Sequence, residues 1–186
     1  MPKAVYLEKN IQLPNDVTLE LKGKKITIKG PKGTLERDFT GEPVKMVFTK
    51  NVMNLSVAFP DKRETAILGT IEAHIKNMIT GVTQGFTYKL TIVYSHFPIT
   101  VDVKERQVFI KNHYGQRNPR IAKIHGDDVK VRVEGDIIIV TGIDKEHVGQ
   151  TSANIQEVCK LRGQFHKDPR RFMDGVWLSA QSIGME

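Results

Sequence analysis

Apolar and polar residues alternate along two short runs near the start of the chain. In "VTLELKGKKITIKG", the side chains of Val17, Leu19 and Leu21 share one face, and Ile26 and Ile28 resume the alternation after a Lys-Gly-Lys-Lys turn. A period of two residues is typical of strands that are buried on one side, and two such runs around a glycine turn form a hairpin. The pattern therefore predicts a two-stranded antiparallel hairpin.

The same pattern returns 82 positions later as "ITVDVKERQVFIKN". Lys29 is matched by Lys111, and Glu20 is replaced by the chemically similar Asp102. Similarity at a fixed separation is typical of an internally duplicated unit. We therefore predict that the chain contains two copies of one domain.

Each half of the chain continues with the same order of predicted elements. Two alternating runs follow each hairpin, "VKMVFT" with "VMNLSVAF" and "VKVRVEG" with "IIIVTGI". Helical patterns come next, "DKRETAILGTIEAHIKNMITG" and "DKEHVGQTSANIQEVCKLRG", and a strand candidate closes each half, "FTYKLTIVY" and "DGVWLSA". Asp61 and Glu64 have the spacing of a capping box, while Gly81 and Gly163 mark the predicted helix ends.

This order predicts an α+β fold of two tandem, similarly folded domains, each an antiparallel sheet packed with one helix. The segment "YSHFPI" separates them, so we expect residues 1–95 to form the N-terminal domain and residues 96–186 the C-terminal domain. A helix covers one face of such a sheet, which leaves the other face and the loops open to a partner.

The charge of the chain favours a polyanionic partner. It contains 28 Lys and Arg against 21 Asp and Glu, for a formal net charge of +7. No apolar run approaches the roughly 18 residues that span a bilayer, and the start of the chain lacks the apolar core of a signal peptide, so we expect no membrane attachment. Cys159 is the single cysteine and cannot form an internal disulfide, which is consistent with a cytoplasmic location.

The stretch "ITIKGPKGTLERDF" contains the lysines and glycines of a phosphate-binding loop but not their spacing. Gly30 and Gly33 are three positions apart, Pro31 lacks an amide donor, and an extended run follows where a nucleotide-binding loop requires a helix. We therefore predict a turn between strands. Its lysines can still contact a phosphate backbone, which requires only charge and reach.

The spacing of histidine and cysteine residues gives little support for a metal site or a catalytic site. No two histidines are three to five residues apart, and no second cysteine is present, so we predict no metal site and no cofactor. Cys159 lies on the apolar face of a predicted helix, as a small buried cysteine does. The alternative is a cysteine-dependent enzyme that uses Cys159 with His166 or His147 as the base.

Two basic segments of the C-terminal half are better candidates for a binding site. "KLRGQFHKDPRRF" provides the first set of predicted RNA-binding residues, Lys160, Arg162, Lys167, Arg170 and Arg171. "IKNHYGQRNPRIAK" provides the second set, Lys111, Arg117, Arg120 and Lys123. Arginine suits phosphate oxygens, and exposed rings can stack on unpaired bases. The alternative is that the aromatic residues pack in the core and the charges are only solvated.

Three motifs resemble the large-subunit ribosomal protein L6 family, called L9 in eukaryotic naming. They are "LELKGKKITIKGPKGTLERDF", "HIKNMITGVTQGFTYKLTIVYSHFPI" and "DPRRFMDGVWL", and the resemblance that rests on them covers nearly the whole chain. The middle motif is the longest and resembles the archaeal and eukaryotic branch more than the bacterial one.

The resemblance implies two similarly folded α+β domains and a structural, non-enzymatic role in translation. It implies binding to large-subunit rRNA near the sarcin-ricin loop and the stalk base, where translational GTPases dock, with neighbouring ribosomal proteins as further partners. No small-molecule substrate is expected. In the family the C-terminal domain makes most of the RNA contact, and the segment from Lys160 to Arg171 matches that region here. A ribosome-independent RNA-binding module is the remaining alternative.

Overall fold

The computed structural model describes residues 6–49, 51–161 and 173–185. Contacts between Cα atoms divide the chain into residues 1–84, called unit 1 below, and residues 85–186, called unit 2.

Unit 1 is built from antiparallel strands and one long helix. Its elements are β1 (Tyr6–Gln12), β2 (Thr18–Lys22), β3 (Lys25–Gly30), β4 (Gly33–Asp38), β5 (Lys45–Thr49), β6 (Val52–Ala58) and helix α1 (Lys62–Thr83). The strands form two three-stranded sheets, ordered β1-β6-β5 and β2-β3-β4. Ile26 and Ile28 from one sheet, Leu55 from the other and Ile75 from the helix are fully buried in a common core.

Unit 2 repeats this plan and adds one strand. Its elements are β7 (Phe86–Val93), β8 (Thr100–Lys104), β9 (Gln107–Lys111), a 3-10 turn (His113–Gly115), β10 (Arg120–Lys123), β11 (Lys130–Glu134), β12 (Ile137–Gly142), helix α2 (Lys145–Cys159) and β13 (Gly175–Ile183). The sheets are ordered β10-β9-β8 and β11-β12-β7-β13. Leu90, Ile110, Ile138 and Ile155 form the centre of its core.

The structure confirms the predicted α+β class and the repeated hairpin. Leu21 pairs with Ile26 in unit 1, and Val103 pairs with Val108 in unit 2, which is the same register displaced by 82 positions. Within the described residues, the strands of each unit form two sheets, whereas the sequence predicted one. The hairpin and the strand after it form a sheet of their own on the helix.

The contact-based division lies before β7, whereas the sequence placed the boundary after it, at residues 95 and 96. β7 pairs with β12 along one side and with β13 along the other, from Phe86 to Val93. Its hydrogen bonds therefore tie it to unit 2. An alternating pattern identifies a strand but not its partners, and this strand follows α1 directly in the chain.

The helix starts are confirmed, whereas the two predicted ends are wrong. The amide of Asp61 donates to Glu64 Oε2 at 2.9 Å, as the capping box predicted. α1 continues past Gly81, which is buried inside it, and ends at Thr83, before Gly85 adopts a left-handed φ of 78°. α2 ends at Cys159, before the predicted stop at Gly163, which lies outside the described residues.

Candidate nucleic-acid interface

The turn after the repeated hairpin is longer in unit 2 than in unit 1. Six residues (29–34) separate the paired residues Ile28 and Leu35, whereas nine residues (111–119) separate Ile110 and Arg120. Three residues have thus been added at the predicted basic segment. Because the hairpin registers are the same, the two hairpin sheets differ mainly in this turn.

The short turn of unit 1 closes the end of its helix. The amide of Lys32 donates to the carbonyl of Val82 at 3.0 Å, and the ammonium of Lys32 donates to the carbonyl of Gln84. A Cβ at Gly30 would lie 2.7 Å from Val82 Cγ2 and 2.8 Å from the carbonyl oxygen. Glycine is therefore required for this close approach, and the predicted turn between strands is confirmed.

In unit 2 the side chain of Arg120 contacts the end of the helix. The Arg120 guanidinium donates to the carbonyl of Val158 at 2.6 Å and, more weakly, to that of Lys160 at 3.4 Å. Its Nε also donates to Gln116 Oε1 at 3.0 Å. The last carbonyls of a helix lack partners within the helix and carry partial negative charge, so a cation there satisfies and stabilises them. Arg120 thus joins the long turn to the end of α2.

Three other predicted cations are exposed around this junction. They are Arg117 in the long turn, Lys123 at the end of β10 and Lys160 directly after α2. Arg117 makes no hydrogen bond or ion pair with the part of the chain that the structure describes. An open groove of about 470 Å³ lies here, lined by Arg120, Ile121, Glu157, Val158 and Lys160. The groove contains both charge and the half-exposed apolar side chain of Ile121.

Lys111 forms an ion pair with Asp102 and does not line this groove. Its ammonium is 2.6 Å from Asp102 Oδ2, and Lys29 makes the matching contact with Glu20 Oε1 at 2.7 Å in unit 1. The Lys111 hydrogen bond and charge lower the pKa of Asp102. Because the pair recurs in both copies, it is a feature of the shared hairpin, and it is exposed enough to open at small cost.

The remaining predicted RNA-binding residues lie outside the described residues. They are Arg162, Lys167, Arg170 and Arg171. The junction therefore brings together Arg120 and Lys160 from the two predicted sets, through the Lys160 carbonyl.

His113 is a residue of the turn that the sequence did not single out. It is 1% exposed. Burial and the Arg120 cation lower its pKa, while the backbone and carboxylate of Asp174 act in the opposite direction. The ring packs edge-on against Tyr114, whose φ of 53° is left-handed. A buried imidazole thus fills the base of the turn.

Within the described residues, Cys159 and His147 are not assembled into a catalytic pair. Cys159 is 7% exposed, and burial raises the pKa of its thiol to about 11. His147 is in the first turn of the same helix, twelve positions earlier, which corresponds to about 18 Å along the axis. Its Nδ1 lies 2.6 Å from Asp128 Oδ1. His166 lies outside the described residues. The geometry therefore separates the thiol from His147.

The described ranges provide neither a metal-binding cluster nor a membrane-spanning helix. No group of three or more His, Cys, Asp or Glu side chains there has an arrangement that could hold a metal ion. None of the helices found there is long and apolar enough to cross a membrane.

Comparison with known proteins agrees with the repeat. A family model described as ribosomal protein L6 matches the chain twice, at residues 13–85 and 97–165. The large ribosomal subunit protein uL6 of Staphylothermus marinus is 48% identical over 182 residues, which cover 96% of this chain and 96% of that protein. The protein of the same name from Methanosphaera stadtmanae is 47% identical over 178 residues, which cover 96% and 95%. The double match confirms the internal duplication.

Proposed function

The chain belongs to the ribosomal protein L6 family, and from this membership we propose that it is a structural component of the large ribosomal subunit that binds rRNA. The observation that supports binding is the junction in unit 2, where Arg117, Lys123 and Lys160 are exposed beside an open groove. The same place in unit 1 has a shorter turn whose Lys32 is engaged with the end of α1.

The proposed mechanism is charge neutralisation on the RNA backbone. Each lysine or arginine that contacts a phosphate displaces condensed counterions, so affinity falls as the salt concentration rises. Arg120 has a different part in this proposal, because its guanidinium holds the turn against α2. Arg162, Lys167, Arg170 and Arg171 stay predictions, as members of the same basic segment as Lys160.

The finer placement follows from the family resemblance. We propose that the protein lies near the sarcin-ricin loop and the stalk base, beside neighbouring ribosomal proteins and close to docking translational GTPases. In this role it works in the cytoplasm, without a cofactor and without catalysis. The buried thiol of Cys159 supports the absence of cysteine chemistry.

A salt series tests the binding proposal. Archaeal large-subunit rRNA transcribed in vitro is titrated with wild-type protein, with R117Q/K123Q/K160Q and with the control K22Q/K45Q/K62Q. The control removes the same charge from exposed positions of unit 1. The slope of log K against log salt should lose about 2 from its magnitude in the first variant, from about 0.7 for each of the three contacts. An unchanged slope in that variant would overturn the assignment of these residues.

Two further measurements address Arg170 with Arg171 and the ribosomal setting. R170E/R171E should weaken binding to the same rRNA while unit 2 retains its unfolding midpoint; equal affinity across the salt series removes these two residues from the site. The protein should also co-sediment with large subunits on a sucrose gradient. Absence of co-sedimentation would favour the ribosome-independent module.

A further inference from the structure

The β10-β9-β8 sheet of unit 2 has one face that is turned away from the core. Alternation along its strands directs one set of side chains into the core, where they are buried: Val101, Val108, Ile110 and Ala122. The residues that alternate with these point the other way, and none of them is buried. We call this second side the hairpin face of unit 2. Its apolar residues are Phe109 and Ile121, and its charged residues are Asp102, Lys104, Lys111 and Lys123.

An aromatic and an aliphatic side chain lie side by side at the centre of the hairpin face. Phe109 is on the central strand, β9, and pairs with Ile121 on one side and with Asp102 on the other. Ile121 is 47% exposed, and Phe109 is half-buried. Directly opposed side chains in antiparallel strands are about 5 Å apart, so the ring and the isoleucine form one apolar platform.

The hairpin face has a positive surplus beside this platform. In the next row, about 7 Å away, Gln107 is flanked by the exposed Lys104 and Lys123. On the other side of the platform Lys111 forms an ion pair with Asp102, so these two charges compensate each other. Three lysines and one aspartate give 3 − 1 = +2, and the surplus lies on the two lysines beside Gln107.

The first copy of the domain shows the same face without the platform. In the matching register of unit 1, Thr27 takes the place of the aromatic ring, Glu36 that of the isoleucine and Asp38 that of the lysine on β10. Glu36 forms an ion pair with Lys25. The charges of this face sum to zero, with Glu20, Glu36 and Asp38 against Lys22, Lys25 and Lys29. The unit 1 face is therefore neutral and polar, whereas the unit 2 face combines surplus charge with an apolar centre.

An aromatic platform beside cations fits unpaired RNA. Bases that are free of a helix stack on aromatic side chains presented by a sheet, while nearby cations bind the phosphates. Ile121 also lines the groove at the end of α2, so the hairpin face is continuous with the proposed RNA-binding site. Between the two lysines, the side-chain amide of Gln107 can both donate to and accept from the edge of a base.

We propose that the hairpin face of unit 2 binds an unpaired nucleotide of rRNA, with its base stacked on Phe109 beside Ile121 and the adjoining phosphates on Lys104 and Lys123. This inference rests on the proposed rRNA-binding function and deepens it. Phosphate contacts alone carry no sequence information and do not require an unpaired strand. Stacking does require a base outside a helix, so the platform directs unit 2 to a single-stranded part of the rRNA.

The full chain, with the rRNA transcript and salt series described above, tests the stacking contact. Phe109→Leu keeps an apolar side chain on the sheet and removes the ring, so affinity should fall about tenfold at every salt concentration. The slope of log K against log salt should stay at the wild-type value, because no charge is lost. Phe109→Tyr keeps the ring and should bind like wild type. Thr27→Ala, at the matching position of unit 1, should leave affinity unchanged.

Lys104→Gln tests the phosphate contact with a residue that lies outside the R117Q/K123Q/K160Q variant. The magnitude of its salt slope should fall by about 0.7, as for one lost contact to a single strand. The matched control is Lys22→Gln, at the equivalent position of unit 1, which should keep the wild-type slope.

Ultraviolet cross-linking of the wild-type protein to the same rRNA requires no substitution. Trypsin releases residues 107–111, "QVFIK", in which Phe109 is the only aromatic side chain. Mass spectrometry should find a nucleotide attached to this peptide at Phe109. The peptide "ITIK", residues 26–29 of unit 1, should carry none.

The outcomes separate this inference from the proposed function. Wild-type affinity in Phe109→Leu, or an unmodified 107–111 peptide when other peptides of unit 2 are cross-linked, would overturn the stacking site and leave the hairpin face to a protein neighbour. The proposed function would stand in that case if R117Q/K123Q/K160Q still lowers the salt slope. Absence of salt-dependent rRNA binding by the wild-type protein would overturn both.

Discussion

Replacing Arg120 by methionine should destabilise unit 2 without removing an RNA contact. The substitution deletes the guanidinium and keeps most of the stem. The lost hydrogen bond to the Val158 carbonyl is charge-assisted, because its donor is the guanidinium cation. It is 2.6 Å long and partly buried, and a hydrogen bond of this kind contributes about 1.5–3 kcal/mol. The interaction of the cation with the end of α2 adds about 0.3–1 kcal/mol. The bonds to Lys160 and Gln116 are exposed and add little. We therefore expect a loss of about 2–4 kcal/mol.

Urea denaturation followed by Trp177 fluorescence measures this loss, because the only tryptophan lies in unit 2. The control is Arg117→Met, in the same turn but exposed, which should change stability by less than about 0.5 kcal/mol. Binding should show the reverse order: the salt slope falls by about 0.7 for Arg117→Met and stays unchanged for Arg120→Met.

The reasoning fails if Arg120→Met is as stable as wild type and lowers the salt slope as Arg117→Met does. Arg120 would then be one more phosphate contact, as the sequence alone predicted, and the bonds to α2 would be incidental.

Three further predictions concern single residues. Glu105 has a left-handed φ of 52° at the hairpin position that Gly23 occupies in unit 1. In urea titrations, Glu105→Gly should therefore stabilise unit 2 by about 0.5–1 kcal/mol, and Gly23→Ala should destabilise unit 1 by a similar amount. Effects of the same sign from the two substitutions would contradict this. The pKa of His113 is lowered in the folded protein, so the unfolded chain binds the proton more readily as the pH falls. The contribution of His113 to stability is therefore complete above the ordinary pKa of 6.5 and is lost as the pH drops below it. His113→Leu should flatten this fall between pH 7 and 5, and an unaltered slope would exclude His113 as its source. Cys159, with a thiol pKa of about 11, should resist a thiol reagent at neutral pH and react rapidly in denaturant, whereas rapid labelling of the folded protein would revive the enzyme alternative.

The repeated hairpin illustrates what periodicity can predict. Alternation at Val17 to Ile28 and its return 82 positions later established the strands, their pairing and the duplication, because each depends on neighbours close in the chain. β1 and the four-residue β10 were not predicted. β1 pairs with β6, forty to fifty-two positions away, and nothing local in "YLEKNIQ" indicates that partner.

The roles of the candidate site residues, in contrast, depend on residues that are distant in the chain. Charge alone ranked Arg117 and Arg120 together, since both are arginines in one basic loop. The structure distinguishes them, because Arg120 reaches carbonyls thirty-eight and forty positions away while Arg117 points to no described partner.

The sequence by itself determined the α+β class, the duplication, the helix starts and the basic character of the C-terminal half. These follow from local periodicity, capping chemistry and composition, which act over a few residues. Only the tertiary structure decided which unit β7 belongs to, which arginine stabilises a helix end and which cations share a surface. Such properties depend on hydrogen bonds and packing between distant segments, and the strand order that brings those segments together is not written in any local pattern.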